Sequence, residues 1–454
     1  GKNSEIPYTI TIPPPNITGV LHMGHALNDS IQDTCIRHAR MQGKPTRWIL
    51  GTDHAGIATQ TKVDKKLKDE GISRLEIGRD AFIEECQKWR AQYGATIVRQ
   101  IMGMGCSCDY NHEHFTLDEN YATAVKKVFC DWYKDGLIYK GKRIVNWCPS
   151  CTTAIADDEA EYIDETGKLW YIKYPLKEPV DDIEYLVIAT TRPETMLGDS
   201  GIAVNPKDKR FAKLVGKTAI LPLINREIPI FADFHVDTEF GTGCVKVTPA
   251  HDPNDWAMGK THDLEFINVF DQHAHVVEGY GKYSGMDRDK CREAVCQDLE
   301  SQGFMEKIED HEHSVMTCYR CHTKLEPWES EQWFVAVDKL KQDAKKVVED
   351  EQIKFHPARW KHVYIEWLEN LKDWCISRQL WWGHRIPIYY CTQCDWEDAL
   401  MDTPDKCPKC GAAVEQDKDV LDTWFSSQLW PFATMDFFKG GMDAPEMQFY
   451  PTDV

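Results

Sequence analysis

Eight of the seventeen cysteines in this chain stand in four Cys-x-x-Cys pairs, and that spacing constrains the fold more than any other feature of the sequence. Cysteine used as a small buried hydrophobe has no reason to recur at that interval. Each pair can present two thiolates to one ion, and two pairs complete a closed tetrahedral sulfur site with no position left for water. Cys391-x-x-Cys394 and Cys407-x-x-Cys410 form one local quartet. Cys148-x-x-Cys151 and Cys318-x-x-Cys321 form another only if the chain between them returns to where it left. An inserted domain requires such a return, with entry and exit side by side on its host. The sequence therefore predicts two structural Zn2+ sites, one of them a staple at the root of an insertion over 152–317. A further grouping, Cys106, Cys108, His112 and His114, has the less typical Cys-x-Cys spacing, and its neighbours Asp109 and Glu113 fit a solvated loop without metal.

With 454 residues the chain exceeds one compact core, and three segments are expected: 1–151, the insertion 152–317, and 318–454 with the second cysteine module. No run of eighteen apolar residues predicts a membrane span, and Gly1 to Pro15 lacks the succession of a secretory signal. Cysteines in such a chain read as thiols and metal ligands, which makes the cytoplasm the expected compartment. A net charge of −20 argues against a general nucleic-acid coat or an anionic membrane surface, though not against a polynucleotide held at one local basic site.

Ile6, Tyr8, Ile10 and Ile12 alternate with polar or proline positions as a half-buried strand does. Pro13 to Pro15 stop it, and a helical stripe of Leu27, Ile31, Cys35 and Ala39 follows, ended by Gly43. Strand, loop and helix in that order open a nucleotide-binding α/β domain, so the expected class is a Rossmann-like α/β fold interrupted by a β-rich insertion. Helices are expected over 80–105 and 118–136, short strands around Tyr185–Thr190 and Gly243–Val247, and helix from about 331 onward. His22-Met23-Gly24-His25 opens the first helix. Two imidazoles three residues apart share a face, a helix start favours anions, and Gly24 lets the backbone approach a ligand, so a triphosphate is the natural guest. Taken alone, the same four residues also fit a helix cap or half of a metal pair.

The run Pro13-Pro14-Pro15-Asn16-Ile17-Thr18-Gly19-Val20-Leu21-His22-Met23-Gly24-His25 resembles the "HIGH" signature of class I aminoacyl-tRNA synthetases. Gly51-Thr52-Asp53-His54-Ala55-Gly56, Thr190-Thr191-Arg192-Pro193-Glu194-Thr195, Lys246-Val247-Thr248-Pro249-Ala250-His251-Asp252-Pro253, Trp374-Cys375-Ile376-Ser377-Arg378-Gln379 and Asp422-Thr423-Trp424-Phe425-Ser426-Ser427 resemble the valyl branch, in family order over essentially the whole chain. The resemblance implies ATP-dependent ligation of L-valine to tRNA(Val) through valyl-adenylate. His22 and His25 would contact the phosphates of ATP, which Mg2+ accompanies. Asp53 would hold the α-ammonium of valine, while Pro14, Pro15, Asn16 and Trp424 would wall its pocket. Read without the resemblance, Asp53 fits a turn equally well and Trp424 fits a core residue better. A monomer is the expected state.

An apolar pocket sized for valine cannot strongly reject threonine, which is why this family serves as the standard case of a second, hydrolytic sieve. The insertion resembles that sieve. Thr191, Arg192 and Thr195 follow one expected strand, and Lys246, Thr248, Asp252 and Asp255 follow another. By resemblance Asp255 would anchor the ammonium of the misplaced amino acid, with Arg192 and Lys246 near the terminal adenosine. No nucleophile is paired with a base, which favours direct attack by water. Asp252-Pro253-Asn254-Asp255 also fits a helix start, with a cap, a proline at the first position and an acid at the third. The family's Lys-Met-Ser-Lys-Ser loop and helical anticodon-binding domain do not occur in the 454 residues, so weak ATP–pyrophosphate exchange is the expectation. The rivals are an isoleucyl or leucyl enzyme, and a zinc-dependent binding module without activity.

Overall fold

The computed structural model describes residues 6–454. Packing divides the chain into two units, one built from the chain up to Lys140 together with Gln332–Val454, the other from Gly141–Glu331. The second unit is wider than the segment bracketed by the cysteine pairs, because the strands that carry those pairs belong to it.

In the first unit the strand Tyr8–Thr11 lies parallel to Thr46–Thr52, which lies parallel to Glu113–Phe115. Helix Met23–Met41 connects the first two strands, and helices Gly56–Asp69 and Arg74–Gly103 fill the second connection. Parallel strands need such crossovers. Helix Glu119–Lys134 follows the third strand. The expected helix over 80–105 thus starts earlier, and Gly78, with φ +78°, breaks it near its start. Gly43, at φ +80°, ends the first helix as expected, since a left-handed residue past the last turn suits glycine.

The first helix buries its expected apolar stripe only toward the C-terminal end, where Ala39 is buried and Cys35 packs against the core. Leu27 and Ile31 are exposed, and the buried residues are Asp29, Gln32, Ile36 and Ala39. A polar contact decides the rotation: the Trp48 indole N–H donates to Gln32 Oε1 at 3.0 Å inside the core, satisfying a donor that would otherwise be buried alone. The expected helix after 331 is also only partly present. A strand, Glu326–Val335, precedes helices Asp338–Glu349 and Trp360–Asn370, and short strands and short helices occupy most of the remainder. Among the latter, Glu397–Ala399, Ile388–Cys391 and Val414–Gln416 form a three-stranded sheet around the second cysteine quartet.

In the second unit a seven-stranded sheet runs in the order Cys244–Val247, Gly201–Val204, Glu227–Ala232, Thr218–Ile220, Ala160–Val180, Met305–Cys318, with Ile183–Thr190 also paired to Ala160–Val180. The long antiparallel pair begins at Cys318 opposite Ala160 and continues to Met305 opposite Ile172. Its outer part is solvated; its inner part enters a core that includes Ile172, Tyr174, Ile188, Ile202 and Ile230. Among the described residues no helix is long and apolar enough to cross a membrane.

Candidate functional site

Asp53 sits just beyond the strand Thr46–Thr52 and is almost wholly buried. Its backbone is tied to the proline loop: Asp53 N–H donates to Pro15 O at 2.9 Å, and Ile17 N–H donates to Asp53 O at 3.1 Å. These bonds hold Pro14, half-buried, Pro15, buried, and Asn16, exposed, beside the strand end. The carboxylate accepts from Ala55 N–H at 2.7 Å and from the Ser427 hydroxyl. Burial pushes its pKa up to about 6, against the pull of Ser427, Ala55 and Thr116. His54 lies 3.3 Å away but supplies no charge, because burial pushes the ring down to about 3. Among the described residues Asp53 has no cationic partner.

The segment 374–430 completes this site. Trp381 N–H and Trp382 N–H donate to Gln60 Oε1, and the Trp382 indole donates to His54 O at 2.9 Å. Asp422, paired with Arg378 at 2.5 Å in a buried ion pair, caps the short helix Thr423–Ser427 through Trp424 N–H. That helix delivers Ser427 to Asp53 while Trp424 stays 57% exposed, so Trp424 is not the core residue that burial statistics favour. Gly51 has a packing reason as well: a Cβ there would collide with the His114 carbonyl and the Trp430 ring.

His22 is the cap of helix Met23–Met41. Its Nδ1 accepts from Gly24 N–H at 3.1 Å, and His25 Nδ1 accepts from His22 N–H at 3.2 Å. The cap reading of this motif is therefore realised. It leaves both Nε2 atoms outside the capping bonds, with ring centroids 4.0 Å apart at the positive end of a 19-residue helix. Burial and the neighbouring His22 push His25 down.

In the second unit a cavity of about 700 Å³ joins Thr191, Arg192, Thr195, Lys246, Thr248, Asp252 and Asp255. The strands Ile183–Thr190 and Cys244–Val247 both end at it, and helix Pro253–Thr261 starts at it. Asp252 caps that helix by accepting from Asn254 N–H at 2.7 Å and Asp255 N–H at 3.1 Å. Asp255 accepts from Thr248 N–H at 2.8 Å, and burial, reinforced by the charge of Asp252, pushes its pKa up to about 7. Capping and presentation of a carboxylate to the cavity coexist. Asp255, like Asp53, has no cation within ion-pair reach among the described residues.

Arg192 and Lys246 line the cavity, and both are held by bonds to the protein. Arg192 donates to Glu194 at 3.1 Å and to Glu326 at 2.5 Å, and Arg292 and Arg288 grip the same two carboxylates from behind. Lys246 Nζ lies 2.9 Å from Thr195 Oγ1, 2.6 Å from Thr248 Oγ1 and 3.1 Å from Asp199 Oδ1. Sequence reasoning missed Asp199 and Glu326 as site elements, since their partners lie far away in the chain, and missed Glu194, whose second partner, Arg292, is 98 residues away. His251 and Phe240, which also line the cavity, were missed for want of any local signal.

Both cysteine quartets are gathered, with their sulfurs all within 4.8 Å of one another. Cys148–Cys321 measures 3.4 Å, Cys391–Cys410 3.3 Å and Cys394–Cys407 3.7 Å. Four thiolates at roughly 2.3 Å from a tetrahedral ion stand about 3.8 Å apart, so both quartets fit the ion with slight expansion. Backbone N–H groups of Cys151, Gln393 and Cys394 point at these sulfurs, as they do at thiolates. Cys106 and Cys108 are buried, His112 is exposed and bonded to Asp109, and the four do not gather as ligands.

A strand–helix frame of this kind, with an imidazole pair at the first helix start and an inserted β unit, defines a class rather than a single enzyme. The sequence matches the family described as tRNA synthetases class I (I, L, M and V) over residues 1–454, and the chain belongs to that family. Among curated relatives it is 52% identical over 454 residues to a Valine--tRNA ligase of Pseudothermotoga lettingae, covering 100% of this chain and 52% of the relative. A Valine--tRNA ligase of Thermotoga maritima is 52% identical over 449 residues, covering 98% and 51%. The chain spans about half the length of the curated relatives it matches. A crystal structure of a ternary complex of Agrobacterium radiobacter K84 agnB2 LeuRS-tRNA-LeuAMS aligns over 97% of this chain and 57% of that one, with TM-score 0.45 and 17% identity.

Proposed function

We propose that this chain contributes the amino-acid activation site and the proofreading site of a monomeric, cytoplasmic valine–tRNA ligase. The observation that carries the reading is a buried carboxylate without a cation in each unit, Asp53 in one and Asp255 in the other. A buried, unpaired carboxylate is costly and calls for a positive guest. An amino acid's α-ammonium suits both, read once before activation and once after transfer.

In activation, Asp53 orients valine by its ammonium, with the prolines and Trp424 around the side chain. The valine carboxylate oxygen bonds to the α-phosphorus of ATP, and pyrophosphate leaves with the bridging oxygen. Charge developing on the phosphates meets the His22 and His25 rings and the helix start, so the protein's contribution is position and electrostatics. Mg2+ accompanies the nucleotide. The acyl group then passes to the 3′-terminal adenosine of tRNA(Val). In the second unit, Asp255 would take the ammonium of a threonyl ester, and water would attack the carbonyl, releasing threonine and the adenosine hydroxyl. Arg192 and Lys246 act from fixed positions in the cavity wall. The two cysteine quartets would hold structural Zn2+.

Titration of the 454-residue chain with a non-hydrolysable valyl-adenylate analogue tests the activation half. Asp53→Asn should weaken binding by at least about thirtyfold, the cost of removing one side of a buried charge pair. Equal binding by both proteins would remove Asp53 from the site, and a preference for the isoleucyl or leucyl analogue would reassign the substrate.

A further inference from the structure

His322, Thr323, Lys324 and Leu325 are all that separate Cys321, in the first cysteine quartet, from Glu326, buried behind the cavity wall. The quartet closes the tip of a hairpin. Cys318 N–H donates to Thr323 O at 2.9 Å, and Leu325 N–H donates to Met316 O at 2.9 Å. Cys321 Sγ also lies 3.3 Å from Thr323 Oγ1. The next residue along this hairpin is Glu326, so the position of its carboxylate follows from how the hairpin is held.

That carboxylate faces three side chains. Oε1 accepts from Arg192 Nη2 at 2.5 Å, and Oε2 accepts from Arg288 Nη1 at 3.1 Å. His251 Nδ1 lies 3.5 Å from Oε1. Val269 N–H donates to His251 Nε2 at 2.8 Å, so the ring carries its hydrogen on Nδ1, toward Glu326. Arg192 and His251 both line the cavity. Arg288 grips the strap a second time, donating to Lys324 O at 2.8 Å. Just beyond, Glu329 N–H donates to Ala250 O at 3.3 Å, in the loop between Thr248 and Asp252. The tip of the hairpin is the weak point. Its four sulfurs lie within 4.8 Å of one another, and thiolates that close repel unless a cation stands between them.

We infer that Glu326 is a positioning residue for the cavity wall and that the first cysteine quartet sets it, so that loss of the ion from that quartet reaches Arg192 and His251 through the strap 322–326. The quartet is then more than a staple: its occupancy governs the shape of a cavity built from a different part of the unit. The second quartet has no such strap to the cavity and carries no such influence. This coupling holds for whatever guest the cavity takes; only the binding arm of the test below rests on the proofreading reading.

Cys321→Ser empties the first quartet, whereas Glu326→Gln leaves it filled and removes the charge that holds Arg192. Backbone hydrogen exchange over 190–196 and 248–255, read by mass spectrometry, should quicken by about tenfold or more in each variant. The double variant should exchange within about twofold of Glu326→Gln alone, because the ion acts through the residue already changed. Cys410→Ser, which empties the other quartet, should leave both segments at the parent's rate. A merely structural loosening by each substitution would add in the double variant, and that result overturns the inference, as does unchanged exchange in Cys321→Ser. Should Cys321→Ser fail to fold, a chelator added to Cys410→Ser, with and without Glu326→Gln, gives the same comparison; Glu326→Asp replaces Glu326→Gln on the same ground. Titration with the non-hydrolysable 2′-amide of adenosine with threonine supplies the binding arm, where affinity should fall in each single variant and no further in the double. A parent that binds no amide counts against the proofreading reading, while the exchange rates still decide the coupling.

Discussion

Asp255 is a residue whose chemistry and whose stability cost have opposite signs. Its carboxyl ionises at about 7 in the folded chain and at about 3.9 when unfolded. Between those values the folded state keeps a proton that the unfolded state has released, so stability falls as pH rises from about 4 to about 7 and stays lowered above that. Asp255→Asn keeps an oxygen to accept the Thr248 N–H and removes the charge. Thermal melts should therefore show the variant above the parent at pH 8, by up to a few kcal/mol, with the two curves converging toward pH 4. A gap that does not vary with pH would assign the effect to packing. On the proposed reading the same substitution should abolish binding of a non-hydrolysable threonyl amide of adenosine, and unchanged binding would remove Asp255 from the site. Some of this was legible in the sequence. Asp252, Pro253 and Asp255 follow rules of helix starts that operate over four residues. Asp199 was not legible, because its meaning lies in Tyr174, Lys246 and Thr248, between 25 and 49 residues away.

At the scale of elements, local spacing was a good guide to existence and a poor one to orientation. The four Cys-x-x-Cys hairpins are where the sequence puts them, since a chelating pair is a two-turn feature that needs no knowledge of the remainder. Helix Met23–Met41 starts and stops as expected, yet presents Leu27 and Ile31 to solvent and turns Gln32 inward. Apolar periodicity finds a stripe but does not say which neighbours exist to cover it. The Gln32–Trp48 bond is open to direct test. Gln32→Ala would leave the Trp48 N–H buried without an acceptor, and denaturant unfolding of the first unit should show a loss of about 1–3 kcal/mol. A change near zero would show that the indole finds another partner and that the bond does not fix the helix's rotation.

For the whole molecule, two units with separate cores predict two thermal transitions by calorimetry. Metal analysis should return two zinc ions per chain, since each quartet is complete. Cys321→Ser should release one of them and lower the transition of the 141–331 unit by several degrees, leaving the other transition in place. Loss of both ions together, or a matching drop in both transitions, would show that the quartets are not independent. The expected segment 152–317 and the packed unit Gly141–Glu331 differ at both edges, because cysteine spacing marks the staple and not the strand that leads to it.

The Ser427 hydroxyl that holds Asp53 reaches it from 374 residues further along the chain. On a ribosome adding 5–20 residues each second, a nascent chain would carry its imidazole pair and its first parallel strands for on the order of half a minute before that serine emerged. Until then the carboxylate is held only from its own neighbourhood, by the Ala55 N–H above all, and the wall that Trp382 and the Thr423–Ser427 helix add to the site is still missing.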